Sequence, residues 1–188
     1  MFYKNARIYG SDFRFHTGAF EVTDGKFGAV LPENVPADAI DLQEGAMQDE
    51  WSTDYGVGCK YFSQDAVIKM APWAGIEIPE DLTLAQKLKF VQKLMEEDDE
   101  RAIAVFETIG AYLAYTTVLY SQFYNIEYMM LLGRVMSGKG GDTILRVCNE
   151  ILAEEYPVLA KKCLVTLPDE KMRRVGQSVA AASLPKVK

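Results

Sequence analysis

The 188-residue sequence predicts an α+β protein: a small β meander over residues 1–45, then an α/β lobe over residues 46–188 built around one long central helix. Three observations carry this. Apolar and polar residues alternate between turn formers through the first quarter of the chain. Apolar residues then recur at helical spacing from Leu84 to Tyr120. Beyond that, a short apolar run, a glycine cluster, a helical stretch and a second apolar run follow in the order of two parallel strands joined by a right-handed crossover.

Strands are expected at residues 2–9, 19–23, 27–31 and 39–41. Asp24-Gly25 is the strongest hairpin signal, because that pair tolerates positive φ, and Gly10-Ser11-Asp12 and Pro32-Glu33-Asn34 supply further turns. The alternation stops over residues 46–54, where the domain boundary is placed. Residues 64–74 suit a short helix, and Thr83 with Gln86 makes a capping-box pair ahead of Leu84, Leu88, Val91 and Met95. The acidic run 96–100 ends that helix or turns the corner to the next.

The long helix is expected over residues 100–123, with Ile103, Phe106, Ile109, Leu113, Thr117 and Tyr120 close to one face. Val105, Tyr112 and Ala114 widen that stripe, so the helix is expected to be buried on more than one side. Residues 127–132, bounded by Asn125 and Gly133, read as a strand covered on both faces. Asp142 is a reasonable N-cap for a helix ending at about Glu155. A strand over 163–167 and a last helix from Asp169 to about Ser183 complete the lobe.

Hydrophobic residues make up 49% of the chain and charged residues 25%, the balance of a globular protein with one substantial core. The net charge of -7, with no clustered Lys and Arg, argues against a nucleic-acid partner. Cys59, Cys148 and Cys163 are odd in number and widely spaced in apolar or helical contexts, so they read as core thiols in a reducing compartment. Lys4 and Arg7 interrupt the first apolar stretch, which argues against a signal peptide and makes a cytoplasmic location the expectation. The most apolar region, residues 103–132, is broken by Glu107, Gln122, Asn125 and Glu127, so no membrane span is expected there.

The sharpest local signal is LLGRVMSGKGGDTIL. Glycines at 133, 138, 140 and 141 let backbone approach a ligand ahead of a helix N-terminus, where a phosphate or nucleotide edge is favoured; equally, such a loop can need glycine only for positive φ. Arg134 could stack on or fork toward a ligand, or form a structural ion pair, and Lys139 could neutralise a phosphate or lie in solvent. His16 is the only histidine; it has no nucleophile pattern nearby, and a metal site built on several histidines is excluded. Asp49, Glu50 and Asp54 beside Trp51 and Tyr55 could hold a sugar, but they suit a charged linker better, with no second acidic motif at catalytic spacing.

DEWSTDYGVGCKYFSQDAV, VFETIGAYLAY, LLGRVMSGKGGD and PDEKMRRVGQSVAAASLP together resemble the C-terminal lobe of ROK-type sugar kinases, over roughly three quarters of the chain. That resemblance implies the hexokinase-like or actin-like ATPase fold. It makes Gly133, Arg134, Gly138, Gly140 and Gly141 the candidate nucleotide-binding residues, with ATP as the possible cofactor. Gly58-Cys59 followed by Ser63 resembles the family's Gly-Cys-Leu-Glu stretch, and a Gly176-containing helix comes last in both.

This sequence departs from the family at Arg134, which replaces a glycine, at Ser52 and Asp54, which stand where zinc-binding cysteines are expected, and at Tyr61, which replaces a glutamate. No metal site is therefore expected, and no catalytic residue is identified, because the lobe carrying the catalytic aspartate has no counterpart here. The opening MFYKNARIYGSDFRFHTGAFEVTDGKFGAV resembles the first strands of amidohydrolases of the N-acetylglucosamine-6-phosphate deacetylase kind, without their barrel or metal pair. The expectation is a non-catalytic, kinase-like lobe linked to amino-sugar metabolism. The alternatives are a sugar kinase active only when assembled with a partner or with itself, and an oligomerisation or ligand-sensing module binding a nucleotide or sugar.

Overall fold

A computed structural model describes residues 7–8, 20–21, 59–122 and 124–168. The described chain is mostly helical with small two-stranded sheets, which is α+β at the coarse level. Strands β1 (Arg7–Ile8) and β2 (Phe20–Glu21) pair antiparallel, Arg7 opposite Glu21. The strands expected at 27–31 and 39–41, and the helix expected from Asp169, lie outside the described residues.

Helix α1 (Cys59–Phe62) leads through Ser63 into α2 (Gln64–Trp73). Ser63 caps α2 by accepting the Asp65 N–H at 3.1 Å, and Ala66, Val67, Met70 and Ala71 form the buried face. Helix α3 (Leu84–Glu96) starts with the capping box read from the sequence: the Gln86 N–H donates to Thr83 Oγ1 and the Thr83 N–H to Gln86 Oε1. Its buried face is Leu88, Val91 and Met95.

The chain turns at Asp98, whose φ of 58° is a left-handed conformation that Asp tolerates better than most side chains. Asp99 then caps α4 (Glu100–Ser121) by accepting the Arg101 N–H at 2.9 Å. Helix α4 is the core of the fold. Fourteen of its residues are buried, on more than one side, as the broad apolar stripe predicts. By length and composition it would suit a membrane span, yet 78% of its most apolar window is buried inside the protein.

Strand β3 (Tyr128–Met130), a 3-10 turn (Arg134–Met136), helix α5 (Gly138–Glu155), helix α6 (Pro157–Lys162) and strand β4 (Leu164–Thr166) complete the order. Strands β3 and β4 are parallel, with Tyr128 opposite Leu164 and Met130 opposite Thr166, as a strand-helix-strand crossover requires. The short α6 opens on Pro157, a residue whose missing N–H costs nothing in a first helical turn.

Helices α4 and α5 approach closely because each offers a glycine to the other. A side chain at Gly110 would bring its Cβ to 2.9 Å from the Ile144 carbonyl oxygen and the Val147 Cβ. One at Gly140 would stand 2.6 Å from the Phe106 ring. Phe106 and Val147, both fully buried, therefore fill the space that the two glycines leave.

Two sequence expectations are corrected here. Among the described residues the strand at 127–132 is covered on one face only: Met129 and Val165 pack on the core, while Tyr128, Met130 and Leu164 point outward at 75%, 56% and 55% exposure. An apolar run marks a strand, but tertiary structure decides how many of its faces are covered. Helix α5 begins at Gly138, four residues before Asp142, with Ser137 at the N-cap making no side-chain bond. The cap comes from another helix, because Glu96 of α3 accepts the Lys139 N–H at 3.0 Å, a partner that local sequence cannot reveal.

Candidate functional site

The glycine cluster surrounds the N-terminus of α5, and each member has a different surrounding. Gly133 has a φ of 119°, is exposed, and has nothing near the position of a Cβ. Gly138, with φ of 66°, would point a Cβ at the Glu96 carboxylate, 2.5 Å from Oε1. Gly140 lies against Phe106, and Gly141 against the Met136 backbone. Close contacts with the Phe106 ring and the Met136 backbone require glycine at 140 and 141, positive φ favours it at 138 and 133, and Gly133 alone of the four faces open space.

A helix N-terminus attracts an anion through its free N–H groups and its dipole. In this structure that anion is the Glu96 side chain. Lys139 reinforces the arrangement: its Nζ donates to the Glu96 carbonyl oxygen at 3.0 Å and to both Asp98 carboxylate oxygens at 2.9 and 3.0 Å. The end of α3, the left-handed turn at Asp98 and the start of α5 are held by one ammonium. Arg134 is exposed, and its carbonyl oxygen accepts Gln92 Nε2 at 2.9 Å.

Beside this clasp lies a shallow cleft of about 290 Å³ lined by Asp98, Ile103, Lys139, Asp142, Thr143 and Arg146, among others. Its cations are already engaged. Lys139 is bound to Asp98, and Arg146 pairs with Glu107 and Glu150, each at 2.9 Å. Nearby, the hydrogen bond from Arg101 holds the Asp99 carboxyl down to about 2. Among the described residues no group of three His, Cys, Asp or Glu side chains could hold a metal ion.

Gly133, Arg134, Gly138, Gly140 and Gly141 are thus brought into one short stretch, with Gly140 and Gly141 turned to packing. His16, Asp49, Glu50, Trp51, Asp54 and Tyr55 lie outside the described residues, as do Ser52 and Gly176. Cys148 and Cys163 are buried free thiols, and burial pushes Cys148 up to about 12.

Two features escaped the sequence reading. One is the outward face of β3 and β4, followed by Leu132 at 40% exposure. The other is Lys69, whose Nζ stands 5.3 Å from the Tyr61 ring centroid and 5.6 Å from that of Trp73. The i,i+4 spacing of Lys69 and Trp73 on a helix was the available signal for this group. Against known proteins, no family model, no curated protein and no solved structure matches this chain.

Proposed function

We propose that this chain is a non-catalytic association module, a lobe of the actin-like kind found in ROK-type sugar kinases and linked to amino-sugar metabolism, that works by pairing with a second copy of itself. The kinship rests on the quoted sequence phrases and is compatible with the order of long helix, short strand, glycine turn, helix and parallel strand. The observation that carries the pairing is the outer face of the β3–β4 sheet. Parallel strands are almost always covered on both faces, and here Tyr128, Met130, Leu132 and Leu164 form an apolar surface that none of the described residues covers.

The rim of that surface suits a second copy. Exposed Glu127 precedes β3, and exposed Lys161 and Lys162 precede β4 at the same end of the sheet. A two-fold axis along the strands lays β3 of one copy over β4 of the other. Glu127 then meets the partner's basic pair on both sides of the axis, an isologous contact with an apolar centre and a charged rim.

Analytical ultracentrifugation tests this. The wild type should sediment as a dimer at micromolar concentration, and Tyr128→Lys with Leu164→Lys should sediment as a folded monomer, since both side chains are exposed within one copy. A wild type that stays monomeric at the highest soluble concentration refutes the pairing. The nucleotide alternative faces a specific obstacle: a phosphate at the N-terminus of α5 must displace Glu96 from the Lys139 N–H. Titration of labelled ATP against wild type and Gly140→Val, with no saturable binding to either, is the expected outcome.

A further inference from the structure

We propose that the thioether of Met130 is a modification site that controls pairing: a hydroperoxide oxidises it to the sulfoxide, and the sulfoxide releases the two copies. The switch rests on the association proposed above and regulates it. Two methionines stand side by side in β3 and face opposite ways. Met129 points at the core, half-buried, and its Sδ accepts a hydrogen bond from Thr117 Oγ1 at 3.3 Å. Met130 points outward, more than half exposed. Met70, Met95 and Met136 are buried. Of the described methionines, Met130 alone is exposed, and it lies between Tyr128 and Leu132 on the surface that pairs.

The strand register sets what an added oxygen would meet. Tyr128 lies opposite Leu164, and Met130 opposite Thr166. Laying β3 of one copy over β4 of the other therefore puts Met130 level with the partner's Thr166. The Thr166 hydroxyl already donates to the Leu167 carbonyl oxygen at 3.3 Å, and the surface around it is made of the Tyr128, Leu132 and Leu164 side chains. A thioether suits such a centre, being soft and close to apolar. A sulfoxide oxygen is a strong acceptor that loses its water on pairing and finds no free donor level with it. Because the contact is isologous, a fully oxidised dimer would have to bury two of them.

The oxidation balances with a hydroperoxide as the co-reactant. Sδ gives an electron pair to one peroxide oxygen, the O–O bond breaks as the S–O bond forms, and the departing hydroxide takes the proton of the transferred oxygen. Thioether and hydrogen peroxide give sulfoxide and water. The return step takes a methionine sulfoxide reductase with a dithiol as reductant, and gives thioether, disulfide and water. Pairing covers Met130, so oxidation runs through the separated copies and slows as protein concentration rises.

The test treats the full chain with limiting hydrogen peroxide, locates sulfoxides by peptide fragmentation in a mass spectrometer, and follows association by analytical ultracentrifugation. Met130 should be oxidised at least about tenfold faster than Met129 and Met70, and the three rates should converge in urea. The dissociation constant of the oxidised protein should rise at least about tenfold. Treatment with methionine sulfoxide reductase and dithiothreitol should bring it back. In Met130→Leu, peroxide should not move the dissociation constant from its starting value. An unoxidised wild type that is monomeric overturns the pairing and the switch together. A wild type that pairs, and pairs as tightly once Met130 is oxidised, overturns the switch alone, as does a peroxide effect that Met130→Leu shares in full.

Discussion

Substituting Gly140 by alanine separates the two reasons a glycine can stand at the start of α5. If glycine serves ligand approach, an added methyl should leave the apo-protein unharmed or stabilise it, because alanine is the better helix former by up to about 1 kcal/mol. The structure predicts the opposite sign. The added Cβ would stand 2.6, 2.8 and 2.9 Å from three carbons of the fully buried Phe106 ring. Real Cβ atoms do not approach so closely, so the ring must leave its well or the helices must part, at about 1–3 kcal/mol of overpacking. After the propensity gain, which is reduced in a first helical turn, the net destabilisation is about 1–2 kcal/mol. Urea unfolding followed by circular dichroism measures it as a lower midpoint at unchanged slope. Phe106→Leu should relieve the clash, so Gly140→Ala should cost about 1 kcal/mol less in that background than in the wild type. A Gly140→Ala protein as stable as the wild type, or strictly additive behaviour with Phe106→Leu, would refute the packing account.

Removing the cap of α3 by Thr83→Ala should lower stability by about 1 kcal/mol, read from the same urea curves, since Thr83 and Gln86 satisfy each other's groups. Asp99 gives a pH dependence. Its folded value of about 2 lies below its ordinary value of 3.8, so the stability it contributes is complete above pH 4 and is lost as pH falls from 4 toward 2. Asp99→Asn should flatten that acid limb in pH-dependent thermal melts, and an unchanged limb would contradict the Asp99–Arg101 pairing. Cys148, held near 12 by burial, should resist a thiol-disulfide reagent at pH 8 in the native state and react at once in denaturant.

Local grammar made much of the helical framework legible. The Thr83–Gln86 box, the span of α4 and the parallel relation of β3 to β4 all follow from spacing and residue type. What escaped was whatever depends on a residue distant in sequence. Ser137 and Asp142 are both good cap types and local sequence does not choose between them; Ser137 takes the N-cap position without a side-chain bond, and the partner that caps α5 is Glu96, on another helix. Gly140 looks like a ligand-facing glycine until Phe106 is found opposite it. The same holds for the strand at Tyr128, since periodicity marks apolar side chains but cannot count the layers that will cover them. The contact of Lys69 with the Tyr61 ring joins α2 to α1, a proximity that sequence suggests only through the i,i+4 step to Trp73.

The composition of α4 has a consequence for how the chain is made. Its main packing partner is α5, which is synthesised later, so in a nascent chain the face of α4 that α5 covers stays open until the ribosome has passed from Ser121 to Glu155. At roughly 5–20 residues per second that interval is about 2–7 s, far longer than a helix takes to form. During it, α4 offers a bilayer or a chaperone the surface it will later bury. Slowing translation between the two helices should therefore divert newly made protein into chaperone-bound or membrane-associated material, while leaving the stability of molecules already folded untouched.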